Sequence, residues 1–171
     1  DYWKEIMLDD NYSARQKEQL VMDRYTALLG EYLPYTGYCP VRETPTGPTK
    51  YYLAFCSRHP DTLELMNDIM ANAYGEYMHE AMYKGTLLEQ LSWKDLPWEW
   101  RKDLKQVILD KIIQTPGCSR HELWIQILKD HFRIWTSSEY RQCIKELVRD
   151  GLLKFESPTG RLNDEATLYR A

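Results

Sequence analysis

One stretch limits what this chain can fold into more than any other. Over residues 138–150, Tyr140, Cys143, Ile144, Leu147 and Val148 recur at steps of three and four, which sets a single apolar stripe on an amphipathic helix. Thr136 with Glu139 three residues later fits a capping box. The threonine oxygen takes an orphan backbone N–H and the glutamate reaches back to the cap. Gly151 suits the left-handed residue that stops a helix. Residues 152–156 alternate as a strand does, Ser157-Pro158-Thr159-Gly160 is turn chemistry, and residues 166–170 return as a second strand. Helix, glycine stop, strand, polar loop and strand in that order predict a winged helix-turn-helix over residues 119–171, with 138–150 as its recognition helix.

The rest of the chain divides around this unit. Residues 86–97, carrying Pro97, mark a boundary, which gives an α-β-β-α segment over 1–90 and the winged domain over 93–171. In the winged domain, 98–115 reads as a first helix with Trp100, Leu104, Val107, Ile108 and Ile112 inward, broken by Pro116-Gly117. Ser119 with Glu122 is a second capping box, opening a helix with Leu123, Trp124, Ile127 and Leu128 on one side. Arg133-Ile134-Trp135 is either a short strand or the turn. In the first segment, 13–33 reads as a helix whose stripe is Val21, Tyr25, Leu28, Leu29 and Tyr32, ended by Pro34. Strands at 35–42 and 51–57 flank the loop Thr44-Pro45-Thr46-Gly47-Pro48-Thr49 and predict an antiparallel hairpin. The run Tyr51-Tyr52-Leu53-Ala54-Phe55-Cys56 reads as a strand buried on both faces, so the hairpin looks like the end of a larger sheet. Pro60 opens another helix with Asp61 and Glu64 near its positive end. Leu63, Met66, Ile69, Met70, Ala73 and Tyr77 carry its stripe, and Gly85 stops it. The fold class expected is α+β.

Composition narrows the function classes. Thirteen tyrosines, six tryptophans and 43% hydrophobic residues argue for an ordered core. No apolar run approaches the roughly 20 residues that span a bilayer. The chain opens on Asp1, which suggests a fragment of a longer protein. Cys39, Cys56, Cys118 and Cys143 are irregularly spaced with no C-x-x-C pair, which points to reduced thiols and a cytoplasmic protein without a zinc site. Up to Asp95 there are nine Lys and Arg against fifteen Asp and Glu; after it, thirteen against eleven. The basic surplus falls in the winged half, as nucleic-acid binding requires, but it is small.

Catalytic signatures do not assemble. His79-Glu80 and His121-Glu122 lack a histidine four residues on, where Tyr83 and Ile125 stand, so the zinc-protease geometry fails. Arg58 and His59 sit where a strand end meets a helix N-terminus, a place suited to an anion or substrate contact; the plainer reading is that His59 caps the helix and Arg58 pairs with a carboxylate. No nucleophile set or phosphate loop is legible, so the expectation is no catalysis by this chain alone, no cofactor and no metal. The recognition helix offers Ser138, Arg141, Gln142, Lys145 and Arg149 on its exposed side, and Arg161 stands in the wing. Arg141 and Gln142 suit base edges, Lys145 and Arg149 suit phosphates, and Arg161 suits the minor groove or backbone. Glu139, Glu146 and Asp150 on the same helix repel phosphate, so a protein contact stays open beside nucleic acid.

Tyr51-Tyr52-Leu53-Ala54-Phe55-Cys56-Ser57-Arg58-His59-Pro60, followed by Leu65-Met66-Asn67-Asp68-Ile69-Met70, resembles the three-Cys-motif partner proteins (TcmP). Their later part carries a similar strand, an (Arg/Asn)-His-Pro turn and a Met-containing helix. The resemblance implies the C-terminal portion of such a protein: the end of a Rossmann-like methyltransferase sheet, then a winged helix-turn-helix. It also implies an accessory role beside a radical-SAM-type partner bearing the three-cysteine motif. The glycine-rich turn of a Rossmann cofactor site is absent, since Gly30, Gly37 and Gly47 stand alone. Three functions remain open: a module that binds nucleic acid or docks a partner, a C-terminal fragment of a SAM-dependent methyltransferase, and a protein assembly module. The unfinished strand edge adds self-association to a homo-oligomer.

Overall fold

The computed structural model describes residues 2–44, 47–96, 98, 101 and 103–171. Among these the chain is mixed α+β, with six α-helices and two antiparallel two-stranded sheets. The elements run α1 (Tyr2–Leu8), α2 (Ala14–Gly30), β1 (Tyr35–Arg42), β2 (Thr49–Ser57), α3 (Pro60–Tyr83), a 3-10 turn (Trp93–Asp95), α4 (Leu104–Gln114), α5 (Arg120–Asp130), α6 (Ser137–Arg149), β3 (Leu153–Glu156) and β4 (Thr167–Arg170). Pro45 and Thr46 of the hairpin loop, and Pro97 and Trp100 near the expected boundary, lie outside the described residues.

Local sequence rules place most of these elements. Both expected capping boxes form: Thr136 with Glu139 opens α6, and Ser119 with Glu122 opens α5. Gly151, at φ +71°, turns the chain from α6 into β3. The α6 stripe is buried as its spacing requires, with Tyr140, Cys143, Ile144 and Leu147 inside. β3 pairs β4 from Leu153 opposite Arg170 to Glu156 opposite Thr167, and a single bridge from Ser119 to Thr167 adds the chain ahead of α5. Residues 133–135 are a turn, with Arg133 at φ +62°.

The first helix of this half starts later than expected, at Leu104, where Asp103 caps it by accepting from the Lys105 N–H at 2.9 Å. The reason lies in Trp98. Its indole donates to the Trp93 carbonyl at 2.6 Å and is buried with Trp93, Leu96 and Met78, which holds the chain in a separate anchor.

The main core joins α4, α5, α6, β3 and β4 with Leu63 of α3, and Tyr35 and Phe55 of the hairpin pack against it. At its centre Trp124 stacks on Tyr140, ring centroids 4.6 Å apart. Gly37 of β1 lies against Phe132 and Phe55, which stack on each other; a Cβ at Gly37 would come to 2.7 Å from both rings. The hairpin and the C-terminal half therefore share one apolar interior.

The hairpin is sandwiched between helices. β1 and β2 pair from Tyr35 opposite Ser57 to Arg42 opposite Thr49. α3 covers the face carrying Cys39, Val41 and Leu53, and α2 covers the other. Two expectations fail here. β2 is not buried on both faces: Tyr51, Leu53 and Cys56 are exposed. The apolar stripe expected to bury α2 does not face the sheet, for Tyr25, Leu28 and Tyr32 are exposed. What α2 buries is Met22, and beside it Glu18, Gln19 and Asp23 reach the sheet, where the phenols of Tyr52 and Tyr38 take them as partners. Tyr52 donates to Glu18 at 2.9 Å and Tyr38 to Asp23 at 2.8 Å, and Gln19 donates to Tyr38. Burial, then the Asp23 hydrogen bond, pushes the Tyr38 phenol well above its usual range.

Candidate functional site

α6 is the element from which a nucleic-acid surface would be built, and α3 lies across its start. Asp68 of α3 accepts from the Ser137 backbone N–H at 2.8 Å and from its hydroxyl, so a carboxylate already fills the positive end of α6. One residue earlier in α3, Asn67 is fully buried. Its amide donates to the Trp135 carbonyl at 2.8 Å, and its oxygen accepts from the Arg133 N–H at 2.6 Å. Both ends of the turn that leads into α6 are thus bonded to α3.

The exposed side of α6 is largely neutralised. Arg141 pairs with Glu64 of α3 at 3.0 Å. Glu64 also lies 3.7 Å from His121, whose other ring nitrogen is 3.6 Å from Asp61. Burial pushes the Glu64 carboxyl above its usual range, and Arg141 and His121 oppose that rise without cancelling it. Gln142 donates to Glu146 at 3.1 Å, Lys105 of α4 pairs with Glu146 at 2.9 Å, and Arg149 pairs with its neighbour Asp150 at 3.1 Å. Glu139 pairs with Arg101. Ser138 is exposed, and its hydroxyl shares a bond with Thr136 at 3.0 Å. Lys145 is exposed and makes no ion pair or side-chain hydrogen bond among the described residues, and the same holds for Arg161 in the wing. Of the six residues expected to contact nucleic acid, the structure leaves these two cations unpaired.

Arg58 and His59 fall at the β2–α3 junction. Both are exposed, and neither side chain makes a hydrogen bond or ion pair among the described residues. His59 occupies the cap position of α3 but its ring does not bond a backbone N–H, and its own N–H donates to Ser57 Oγ at 3.0 Å. The expected capping ring and the expected carboxylate partner of Arg58 are both absent there.

Among the described residues no group of three or more His, Cys, Asp or Glu side chains is placed to hold a metal ion. Cys143 is buried and its thiol is pushed up to about 12 by burial, while Cys39 and Cys118 are raised by the same cause. No described helix is long and apolar enough to cross a membrane.

A second surface was not foreseen residue by residue. Between the hairpin and α3 lies an apolar groove of about 270 Å³ lined by Val41, Leu53, Ile69, Met70, Ala73 and Tyr77. Tyr77 Oη is buried there without a hydrogen-bond partner. The groove is walled by β1 residues 39–42, by Leu53 of β2 and by α3; beside it Leu53 is 50%, Ile69 52%, and Leu65 and Tyr51 both 59% exposed. β2 pairs with β1 alone, so its outer backbone edge is unmatched among the described residues. The sequence signal was the near-continuous apolar run of β2, too long a hydrophobic stretch for one face. Comparison of the chain with family models, with curated proteins and with solved structures returns no match.

Proposed function

We propose that this chain is a non-catalytic docking module, and that its open hairpin side is the docking surface. The observation that carries the reading is the contiguous exposed apolar set Tyr51, Leu53, Leu65 and Ile69 beside an unpaired strand edge. A bare strand edge with an apolar flank is a template for association, and it persists in solution only when something covers it. The C-terminal half, read as a winged helix-turn-helix from its element order and the Ser119–Thr167 bridge, acts here as a protein-contacting variant. Asp68 and Glu64 occupy the start of α6 that would otherwise meet base edges. In the TcmP-like reading, the partner is a radical-SAM-type protein with the three-cysteine motif.

Co-expression with such a partner, followed by size-exclusion chromatography, tests this. A complex that survives Arg141→Ala and is lost on Leu53→Asp supports docking through the hairpin side. A complex indifferent to Leu53→Asp overturns it.

A nucleic-acid role is the second reading, favoured by the exposed and unpaired Lys145, Lys154, Arg161 and Arg170 on α6, β3, the wing loop and β4. It would use phosphate contacts, since Arg141 and the α6 N-terminus are engaged by α3. Anisotropy titration of duplex and single-stranded DNA and RNA at two salt concentrations decides it. Salt-steep binding weakened by Lys145→Ala establishes it, and no binding at low salt removes it.

A further inference from the structure

The helical layers on both faces of the hairpin continue beyond it on the same side. On α3, Leu65 and Ile69 are one turn apart and both exposed, and Ile69 lines the groove with Leu53. On α2, Glu18 reaches Tyr52 of β2 whereas Gln19 and Asp23 reach Tyr38 of β1, so the ridge through Glu18 lies on the β2 side. Two turns along that ridge stands Tyr25, 42% exposed. The other side of the hairpin is occupied: the α5–α6 turn, residues 131–134, lies beside Thr36, Gly37 and Tyr38 of β1. Exposed Tyr51 and Leu53 thus lie on the strand whose outer backbone is unmatched among the described residues, with exposed Leu65 and Ile69 on α3 and Tyr25 on α2 above and below it.

We infer that a second copy of this chain completes the sheet, with β2 paired to its own counterpart, antiparallel, about a two-fold axis near Leu53. This rests on the docking reading above and names the occupant of that surface. The sheet becomes four strands in the order β1-β2-β2-β1, and each face carries a pair of helices.

Three features fit a self-match. The first is spacing. Strands lie about 4.8 Å apart, and α3 sits over both strands of the hairpin, so its counterpart falls two strand intervals away, about 10 Å, which is a helix-packing distance. Leu65 and Ile69 then meet their own counterparts across that seam. The second is register. An axis at Leu53 sets Leu53 against Leu53, Tyr51 against Phe55, and Lys50 against Cys56, so no like charges face each other across the new ladder. The third is area. Tyr25, Tyr51, Leu53, Leu65 and Ile69 expose on the order of 500 Å² per copy, and the strand backbones add to this, against about 800 Å² per partner in a standard interface. An isologous contact of this kind closes on itself and leaves no further edge of β2 to propagate.

The test is the solution mass of the full chain, by light scattering and by sedimentation velocity across a concentration series. The expected result is a species of twice 20.4 kDa. Leu53→Asp and Ile69→Asp should each convert it to the monomer while far-ultraviolet circular dichroism and the unfolding transition are kept. Leu87→Asp, at a residue 98% exposed and away from this surface, should leave the dimer intact. If either variant loses its fold, the concentration dependence of amide exchange in β2 of the wild-type chain decides the matter in its place, since those amides of Tyr51 to Phe55 that do not bond β1 should gain protection only at high concentration. A wild-type chain that stays monomeric throughout overturns the inference, as does a dimer indifferent to Leu53→Asp. A monomer that still forms the Leu53-dependent complex with a three-cysteine-motif protein overturns the second copy and leaves the docking reading standing.

Discussion

Replacing Asn67 with alanine tests whether the two halves of the chain behave as one folding unit. Asn67 sits on α3 and satisfies two backbone groups sixty-six and sixty-eight positions away, the Arg133 N–H and the Trp135 carbonyl. The bond to Trp135 is buried, so truncation leaves that carbonyl without water or partner, at about 1–3 kcal/mol. The Arg133 N–H is part-buried and its loss costs about 1 kcal/mol more. The sum, about 2–4 kcal/mol, is a large share of the 5–15 kcal/mol that holds a domain together. Urea unfolding followed by tryptophan fluorescence and by far-ultraviolet circular dichroism should give coincident single transitions for both proteins, with the variant's midpoint shifted down at unchanged slope. Asn67→Asp should be comparably damaging, because the oxygen that replaces the amide then faces the Trp135 carbonyl. A loss below about 0.5 kcal/mol would refute the accounting. Two separate transitions in the wild-type chain would refute the single unit.

Three further outcomes follow from other sites. Gly75→Ala should destabilise by about 1–3 kcal/mol, because a Cβ there would sit inside the buried Trp93 indole; thermal unfolding with near-ultraviolet circular dichroism reads both the loss and the disturbed tryptophan packing. Thiol alkylation at mildly alkaline pH should label exposed Cys56 quickly and leave Cys143, buried and pushed up to about 12, unmodified until the chain unfolds; peptide mass mapping over time checks the order. Glu64 has a folded pKa raised above its unfolded value, so its contribution to stability is fully present below the unfolded value near 4.5 and is lost as pH rises through the folded one. Glu64→Gln should therefore flatten the fall in stability above that point, seen by urea midpoints at a series of pH values.

Much of the C-terminal half was legible because its signals are local. Thr136 with Glu139 and Ser119 with Glu122 specify helix starts within four residues, and Gly151 specifies a stop. The stripe of α6 is set by one periodicity that has no competitor. The departure at α2 has a different cause. Its hydrophobic stripe predicts a face toward the sheet, but the sheet presents the tyrosine hydroxyls of Tyr38 and Tyr52, and the carboxylates of Glu18 and Asp23 are better partners for them than leucine or tyrosine. A phenol that must be satisfied at a packed surface can outweigh a stripe. The start of α4 failed for a non-local reason too, since Trp98 is claimed by Trp93 and Met78 and not by the helix that follows. α1 was missed altogether; Trp3, Met7 and Leu8 of its seven residues remain exposed, so no clean periodicity marked it.

The expected contact residues illustrate how tertiary structure edits a sequence-level site. Arg141, Gln142, Lys145 and Arg149 do lie on the exposed side of α6, as the helical period requires. The period carries no information about α3, which supplies Glu64 to Arg141 and Asp68 to the helix start. One signal was present: Asn67 falls between Leu63 and Ala71 at four-residue steps, in the middle of a buried face, and a polar amide there demands partners. Followed through, that demand places α3 against another segment's backbone, and the acids beside Asn67 come with it. A carboxylate at a helix start and a phosphate at the same place are alternatives, because both draw on the same unpaired N–H groups and the same positive end of the helix dipole. With Asp68 in place, a phosphate near Ser137 would meet a carboxylate instead of a donor, and of the other α6 cations Arg149 is held by Asp150 while Lys145 stays exposed. The same helix α3 that closes this surface leaves Leu65 and Ile69 bare on its far side. α3 thus sets acids toward α6 and exposed aliphatics on its opposite side, and this asymmetry is why the proposed association surface is the hairpin side and not α6.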